Sequence, residues 1–374
     1  MLVGVPREIK ANEYRVGLTP GSAREYVANG HQLVVETGAG AGIGAGDDAY
    51  AAVGATIVAS AGEVFQRAQM IVKVKEPQPS EWVQLRAGQI LFTYLHLAPD
   101  PAQANGLLDS GCTAIAYETV TDRSGALPLL APMSEVAGRL SIEAAGSALR
   151  RHSGGRGLLL GGVPGVKPAR VLIIGGGVVG THAARMAVGL GAEVTIIDRS
   201  VARLRQLDEL FGGRVRTRMS TIGSIEEELA EADATVGAVL VPGASAPRLV
   251  SRASLGKMKP GAVLIDVAID QGGCFETSRP TTHENPTYEV DGIIHYCVAN
   301  MPGAVPLTSS EALNNATLPF GLALAAKGLG ALSEDPHLLE GLNIHAGQVT
   351  NLAVAEALNR PYVPAVQSLG QIAV

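Results

Sequence analysis

Cysteine is scarce in this 374-residue sequence: Cys112, Cys274 and Cys297 are the only three, and no two form a CxxC pair. A disulfide framework and a thiolate zinc site are thereby excluded as organising devices, and the thiols are expected to be small buried hydrophobes. Charge is also sparse, at 17% of residues with a formal net charge of −6. No basic cluster is available to meet a polyanion, so nucleic-acid binding is not expected. Long apolar runs are missing too, since Gly, Pro or a charged residue interrupts each one before it reaches spanning length. The opening MLVGVPREIK has no apolar core of a signal peptide, and a reduced cytoplasm is the expected location.

What the chain does have is 47% hydrophobic residues and 46 glycines, the composition of a globular α/β protein with many tight turns. Its length favours two domains. Short β-branched runs alternate with helical stretches from the start: LVGV, QLVVETG, ATIVA, MIVKVKEP, ILFTYLH and TAIAYETV. An amphipathic helix is expected from Met133 to Arg151, connecting to a second series of strands, RVLIIGGG, EVTIID, RVRTRM, TVGAVLV, AVLIDVAI and IIHYCVAN. Beyond Pro306 the pattern predicts helices from Ser309 to Gly330, with a kink at Pro319, and from His337 to Leu358. The expected architecture is two Rossmann-like domains joined by long helices. Residues 1–130 with 306–374 would form the substrate domain and 131–305 a doubly wound dinucleotide-binding domain.

Residues 171–180, VLIIGGGVVG, run a buried strand into Gly175, Gly177 and Gly180, with Val178 and Val179 opening a helix. Gly175 permits the turn, Gly177 admits a pyrophosphate to the backbone, Gly180 lets helix and strand pack, and the helix N-terminus offers unpaired N–H groups. Asp198 ends the next strand 18 residues beyond Gly180, close to the spacing of about 20 for a carboxylate that accepts from the adenosine ribose. It would repel an NADP 2′-phosphate, although Arg199 and Arg203 could accommodate one, so NAD is the expected cofactor. The glycine-rich run at 37–48 lacks GxGxxG spacing and reads as a loop followed by a polar turn; the run at 160–168 contains no P-loop.

Oxidising an amine on such a cofactor needs a cation for the substrate carboxylate and an acid/base group for the nitrogen and water protons. Arg15, Lys75 and His96 each follow a strand of the first domain, and Asp270 precedes a Gly-Gly turn after a strand carrying Asp266. Taken singly, each also reads as an ordinary surface group.

Together the segments VGVPREIKANEYRVGLTP, VKVKEP, LFTYLHLA, APMSEVAGRLS, IIGGGVVG, DVAIDQGGCFETSRPTTHENPTY and HYCVANMPGAVPLTSS are similar to the alanine dehydrogenase family over essentially the whole chain. The resemblance implies reversible oxidation of L-alanine to pyruvate and ammonium with NAD. It implies that Arg15 and Lys75 bind substrate and that His96 and Asp270 are the acid/base residues, with the principal base left open. It further implies cofactor contacts at Ser134, Asp198, Arg203, Ser220, Val239, Leu240, Leu249, Val267 to Asp270, and Val298 to Met301, including Asn300. A homohexamer is expected on the same basis, and closure about hinges near Pro132 and Pro306 is expected because a carboxylate held by Arg15 and Lys75 in the first domain must meet the nicotinamide held in the second. No metal is expected, because FGLALAAKGLG offers no carboxylate or histidine. The nucleotide-binding subunit of a proton-translocating transhydrogenase resembles this family and is the alternative.

Overall fold

The computed structural model describes residues 1–239 and 246–370. The chain divides into two compact units, Met1–Met133 with Val305–Val374, and Ser134–Ala304. Each holds one large sheet.

In the first unit the strands are β1 (Leu2–Val5), β2 (Gln32–Glu36), β3 (Thr56–Val58), β4 (Met70–Val72), β5 (Ile90–Thr93) and β6 (Thr113–Ala116). The second unit carries β7 (Arg170–Ile174), β8 (Glu193–Asp198), β9 (Val215–Met219), β10 (Ala234–Gly237), β11 (Val263–Asp266), β12 (Thr287–Val290) and β13 (Ile293–Tyr296). The chain then returns to the first sheet with β14 (Leu342–His345) and β15 (Gln348–Val349), giving the order β15-β14-β6-β5-β4-β1-β2-β3. The other sheet runs β12-β13-β11-β10-β7-β8-β9. From β6 to β3 and from β13 to β9 every pairing is parallel. Both sheets are doubly wound, reversing direction between β1 and β4 and between β7 and β10, and such reversals open a crevice at the carboxyl ends of the strands.

Local chemistry sets the strand-to-helix turns. Thr19, Ser60 and Asp100 in the first unit, and Ser200, Thr221 and Ser251 in the second, accept a first-turn N–H from the helix each one caps. Pro20 and Pro101 occupy first helical positions, where the missing N–H costs nothing. Central strands buried on both faces, such as β5 and β10, read as continuous apolar runs or small residues.

Two expectations change. The segment 337–358 is not one helix: only Pro336–Leu339 and Leu352–Leu358 are helical, and β14 and β15 lie between them. Ala346 and Gly347 take φ of 48° and 78°, the left-handed pair that closes a two-residue hairpin, and β14 is drawn into the sheet by antiparallel pairing with β6. Helix Pro306–Lys327 holds Pro319 in its interior, the position at which the kink is expected. The glycine-rich run at 37–48 leads into a helix, Asp47–Ala52, with two acidic residues in its first turn.

An ion cluster lies inside the first unit. Lys73, fully buried just beyond β4, places Nζ 2.7 Å from Glu81 and 3.1 Å from Glu8. Glu8 also accepts the Val74 N–H at 2.7 Å, and Glu81 accepts that of Gln78 at 2.8 Å. Burial opposes the charge on Lys73, but the two carboxylates outweigh it and hold the ammonium's pKa above its ordinary value. Removing one member strands its partners: Lys73→Met is expected to cost about 3–5 kcal/mol. Adding Glu8→Gln and Glu81→Gln to that variant is expected to recover most of the loss, as measured by urea unfolding.

Candidate active site

Four neighbouring parallel strands of the first unit, in the order β6-β5-β4-β1, end at the same edge. The loops beyond their carboxyl ends carry Glu118, His96, Lys75 and Arg15 respectively. Three expected residues thus share one edge on either side of the β1/β4 reversal.

Arg15 is 3% exposed, not a solvated loop cation. Its Nε and Nη2 donate to the two oxygens of Glu13 at 2.7 and 2.6 Å, its backbone N–H donates to Glu13 at 3.0 Å, and Nη1 lies 3.0 Å from Met133 Sδ. The plane of the guanidinium is therefore fixed. Lys75 is half-buried, and its carbonyl accepts from the Thr93 hydroxyl at 3.0 Å. Burial would raise the Glu76 carboxyl, but the positive charges of Lys75 and Lys10 hold it below its usual range. His96 has an exposed imidazole and a backbone φ of 50°. Its ring stacks on Tyr94, with centroids 5.8 Å apart and planes inclined by 9°. Sequence reasoning missed Glu13, Lys73 and Tyr94, and gave Glu118 a place lining the cleft but no role; only the density of charge in PREIKANEYR and VKVKEP hinted at an ionic interior.

In the second unit the fingerprint loop follows β7. Gly175 has φ of 105°, and a Cβ on it would approach the Ala238 carbonyl at 2.6 Å. A Cβ on Gly180 would land on the carbonyl oxygen of Gly175, whereas one on Gly177 would meet nothing within 4 Å. Helix Val178–Gly189 begins there, with exposed Val178 and half-buried Val179 in its first turn. Asp198 closes the loop from β8, accepting the Gly176 N–H at 2.7 Å and that of Ser200 at 2.8 Å. Arg203 braces the loop: Nε donates to the Gly176 carbonyl at 2.7 Å, Nη2 to Thr181 Oγ1 at 2.7 Å and Nη1 to Gln206 at 2.9 Å. Arg199 is exposed.

Beside Asp198, the Ser220 N–H donates to the Asp198 carbonyl at 2.9 Å. A cleft of about 720 Å³ opens here, lined by Ser220, Ile225, Leu249, Val250, Ser251 and Glu276. Val239 follows β10 half-buried, and Leu240 lies outside the described residues. Val267 follows β11, and Asp270 is exposed on the single turn Ile269–Gln271. Fully buried Asp266 shapes this loop by accepting the N–H groups of Ala268, Cys274 and Phe275 and the Ser278 hydroxyl. Val298 and Met301, 1% and 3% exposed, pack on Ala137, and Asn300 between them has φ of 59°; Ser134 is half-buried on the same helix as Ala137.

A dinucleotide fits this second unit. Open space at Gly177 gives a pyrophosphate access to the backbone, the helix N-terminus faces it, and Asp198 stands where ribose hydroxyls need an acceptor. Fold and fingerprint together define a two-unit α/β protein with a dinucleotide-binding unit. Family models described as alanine dehydrogenase/PNT match the N-terminal region over residues 4–137 and the C-terminal region over 141–352. An alanine dehydrogenase of Halomonas elongata is 57% identical over 371 residues, spanning 99% of this chain and 100% of its own. A solved L-alanine dehydrogenase superposes with a TM-score of 0.93 at 53% identity, covering 96% of this chain and 99% of its own. A transhydrogenase from Sinorhizobium meliloti shares the fold, with a TM-score of 0.80 at 24% identity over 94% of this chain and 100% of its own. The chain belongs to the alanine dehydrogenase/PNT family.

The two glycines separate binding from stability. Gly177→Ala is expected to keep the unfolding free energy within about 0.5 kcal/mol. The same change should weaken NADH binding at least about tenfold, because the pyrophosphate loses its approach to the backbone. Gly180→Ala is expected to destabilise by about 1–3 kcal/mol as helix and strand are forced apart. Thermal unfolding and NADH fluorescence titration of both variants check this.

Proposed function

We propose that the protein is an L-alanine dehydrogenase: L-alanine, water and NAD+ give pyruvate, ammonium, NADH and a proton. The observation that carries the reading is the alignment of Arg15, Lys75 and His96 beyond neighbouring strands β1, β4 and β5, in a chain whose other unit presents the dinucleotide fingerprint with Asp198. The identity of more than half of all residues with alanine dehydrogenases along the whole chain supports the choice of substrate.

Arg15 recognises the substrate carboxylate with a guanidinium whose plane Glu13 sets in advance. His96 and Asp270 share the proton work: one deprotonates the substrate ammonium, and a base then takes a proton from the water that adds to the imine. Lys75 places a cation at the oxygen of the resulting carbinolamine, favouring its collapse to the ketone as ammonia departs. The nicotinamide, when bound, accepts the hydride from Cα. Asp198 and the commitment of Arg203 to the glycine loop support NAD over NADP. The resemblance also supports a homohexamer working in the cytoplasm, and no described helix is long and apolar enough to cross a membrane.

The deciding assay measures NADH formation from L-alanine by the purified protein, repeated with NADP, D-alanine and glycine. Turnover is expected with NAD and L-alanine and at least about tenfold lower efficiency with NADP, given the carboxylate at Asp198. Lys75→Ala and Asp270→Asn are each expected to lower kcat by about 10²- to 10⁴-fold while NADH still binds. Unchanged alanine oxidation in either variant removes that residue from the assignment. Tight NADH binding without turnover by the wild type would favour a transhydrogenase-like binding subunit.

A further inference from the structure

The backbone of His96 is in the left-handed region, with φ of 50°, a conformation that costs a residue carrying a Cβ about 1–2 kcal/mol. No glycine relieves it, so neighbouring groups must hold it. The Glu118 carboxylate is placed to do so. The Leu95 N–H donates to both its oxygens, at 3.1 and 3.2 Å, and the His96 N–H donates to Oε1 at 2.6 Å. The same Oε1 lies 3.9 Å from His96 Nδ1, and the carboxylate is only 14% exposed. It is carried on the single turn Tyr117–Thr119 directly after β6, whose last residue pairs with the last residue of β5, so both ends of the contact start from one ladder.

A second wall faces the imidazole. Tyr94 stacks on it, and Tyr94 is itself fixed by its hydroxyl donating to the Leu129 carbonyl at 2.6 Å and by edge-to-face packing on Tyr117 at 5.1 Å. The ring is thus bounded by a carboxylate and an aromatic face while its own side chain stays 47% exposed. Backbone strain of this kind persists where the surroundings over-determine it.

We propose that Glu118 is a positioning residue for the reaction: it fixes the left-handed turn at Leu95–His96 and holds Nδ1 on its own side, so that Nε2 is the nitrogen presented to substrate. This rests on the reading of His96 as an acid/base group. Glu118 does not touch the substrate and acts through His96 alone.

The test is a double-mutant cycle on the full-length protein, with kcat and KM for L-alanine measured alongside NADH affinity and thermal unfolding. Glu118→Ala is expected to lower kcat about 10- to 100-fold, the scale of a misplaced reacting group, with NADH affinity unchanged. In a His96→Ala background the same substitution should cause no further loss. Glu118→Gln keeps an amide oxygen for the two N–H groups and should recover part of kcat. If Glu118→Ala fails to fold, Glu118→Gln carries the cycle, and its loss of kcat should likewise vanish in the His96→Ala background. Wild-type kcat in the folded Glu118→Ala variant, or an equal loss with and without His96, overturns the proposal. A wild-type protein that does not oxidise alanine, or a fully active His96→Ala variant, instead overturns the reading of the site and the proposal with it.

Discussion

Backbone N–H groups just beyond the end of a parallel strand lose their ladder partner, and where they are buried something else must accept from them. In this chain a carboxylate does so in every loop that carries a candidate catalytic or substrate residue. Glu8 takes the Val74 N–H beside Lys75, Glu13 takes that of Arg15, and Glu118 takes those of Leu95 and His96. In the second unit Asp198 takes those of Gly176 and Ser200, and Asp266 takes those of Ala268, Cys274 and Phe275 ahead of and behind Asp270. Hydrogen bonds to a charged acceptor are shorter and stronger than neutral ones, so these loops are tied down firmly, some from two residues away and others from 22 or 66.

That solution brings negative charge to a half-dry edge, and the cations follow from it. Lys73 sits between Glu8 and Glu81, Arg15 forks onto both oxygens of Glu13, and Lys75 and Lys10 favour the ionised form of Glu76. Attraction between such groups is several-fold stronger than in bulk water because the local dielectric is low. On the proposed reading, a substrate carboxylate at Arg15 would meet a guanidinium already oriented by Glu13, with little side-chain entropy left to lose on binding. Stability and preorganisation are served by the same contacts.

Much of this was legible in the sequence. The strand ending in glycines at 175, 177 and 180, the acid at 198 and the two series of β-branched runs encode local geometry, and local geometry leaves a local pattern. Two of the carboxylates that brace the loops do not: Glu118 meets His96 from 22 positions away and Glu8 meets Val74 from 66, distances at which no periodicity survives. Lys73 and Lys75 look alike in KVK, yet one is fully buried and the other half-buried, a difference set by Glu8 and Glu81. The hairpin of β14 and β15 was hidden in a stretch that reads as helix until β6 supplies a partner.

The pairing of β14 with β6 also orders events during synthesis. The whole second unit is translated between these two strands, so β6 emerges with one edge unpaired and stays so until the last part of the chain arrives. The second unit is contiguous in sequence and can complete its own sheet as it leaves the ribosome. The first unit must wait with an open strand edge, the kind of template that recruits foreign strands. Its closing contact is also among the most distant in the chain, and loop-closure entropy makes such contacts slow to form. Truncation or stalling near the C-terminus would therefore leave a finished nucleotide unit attached to an aggregation-prone partner.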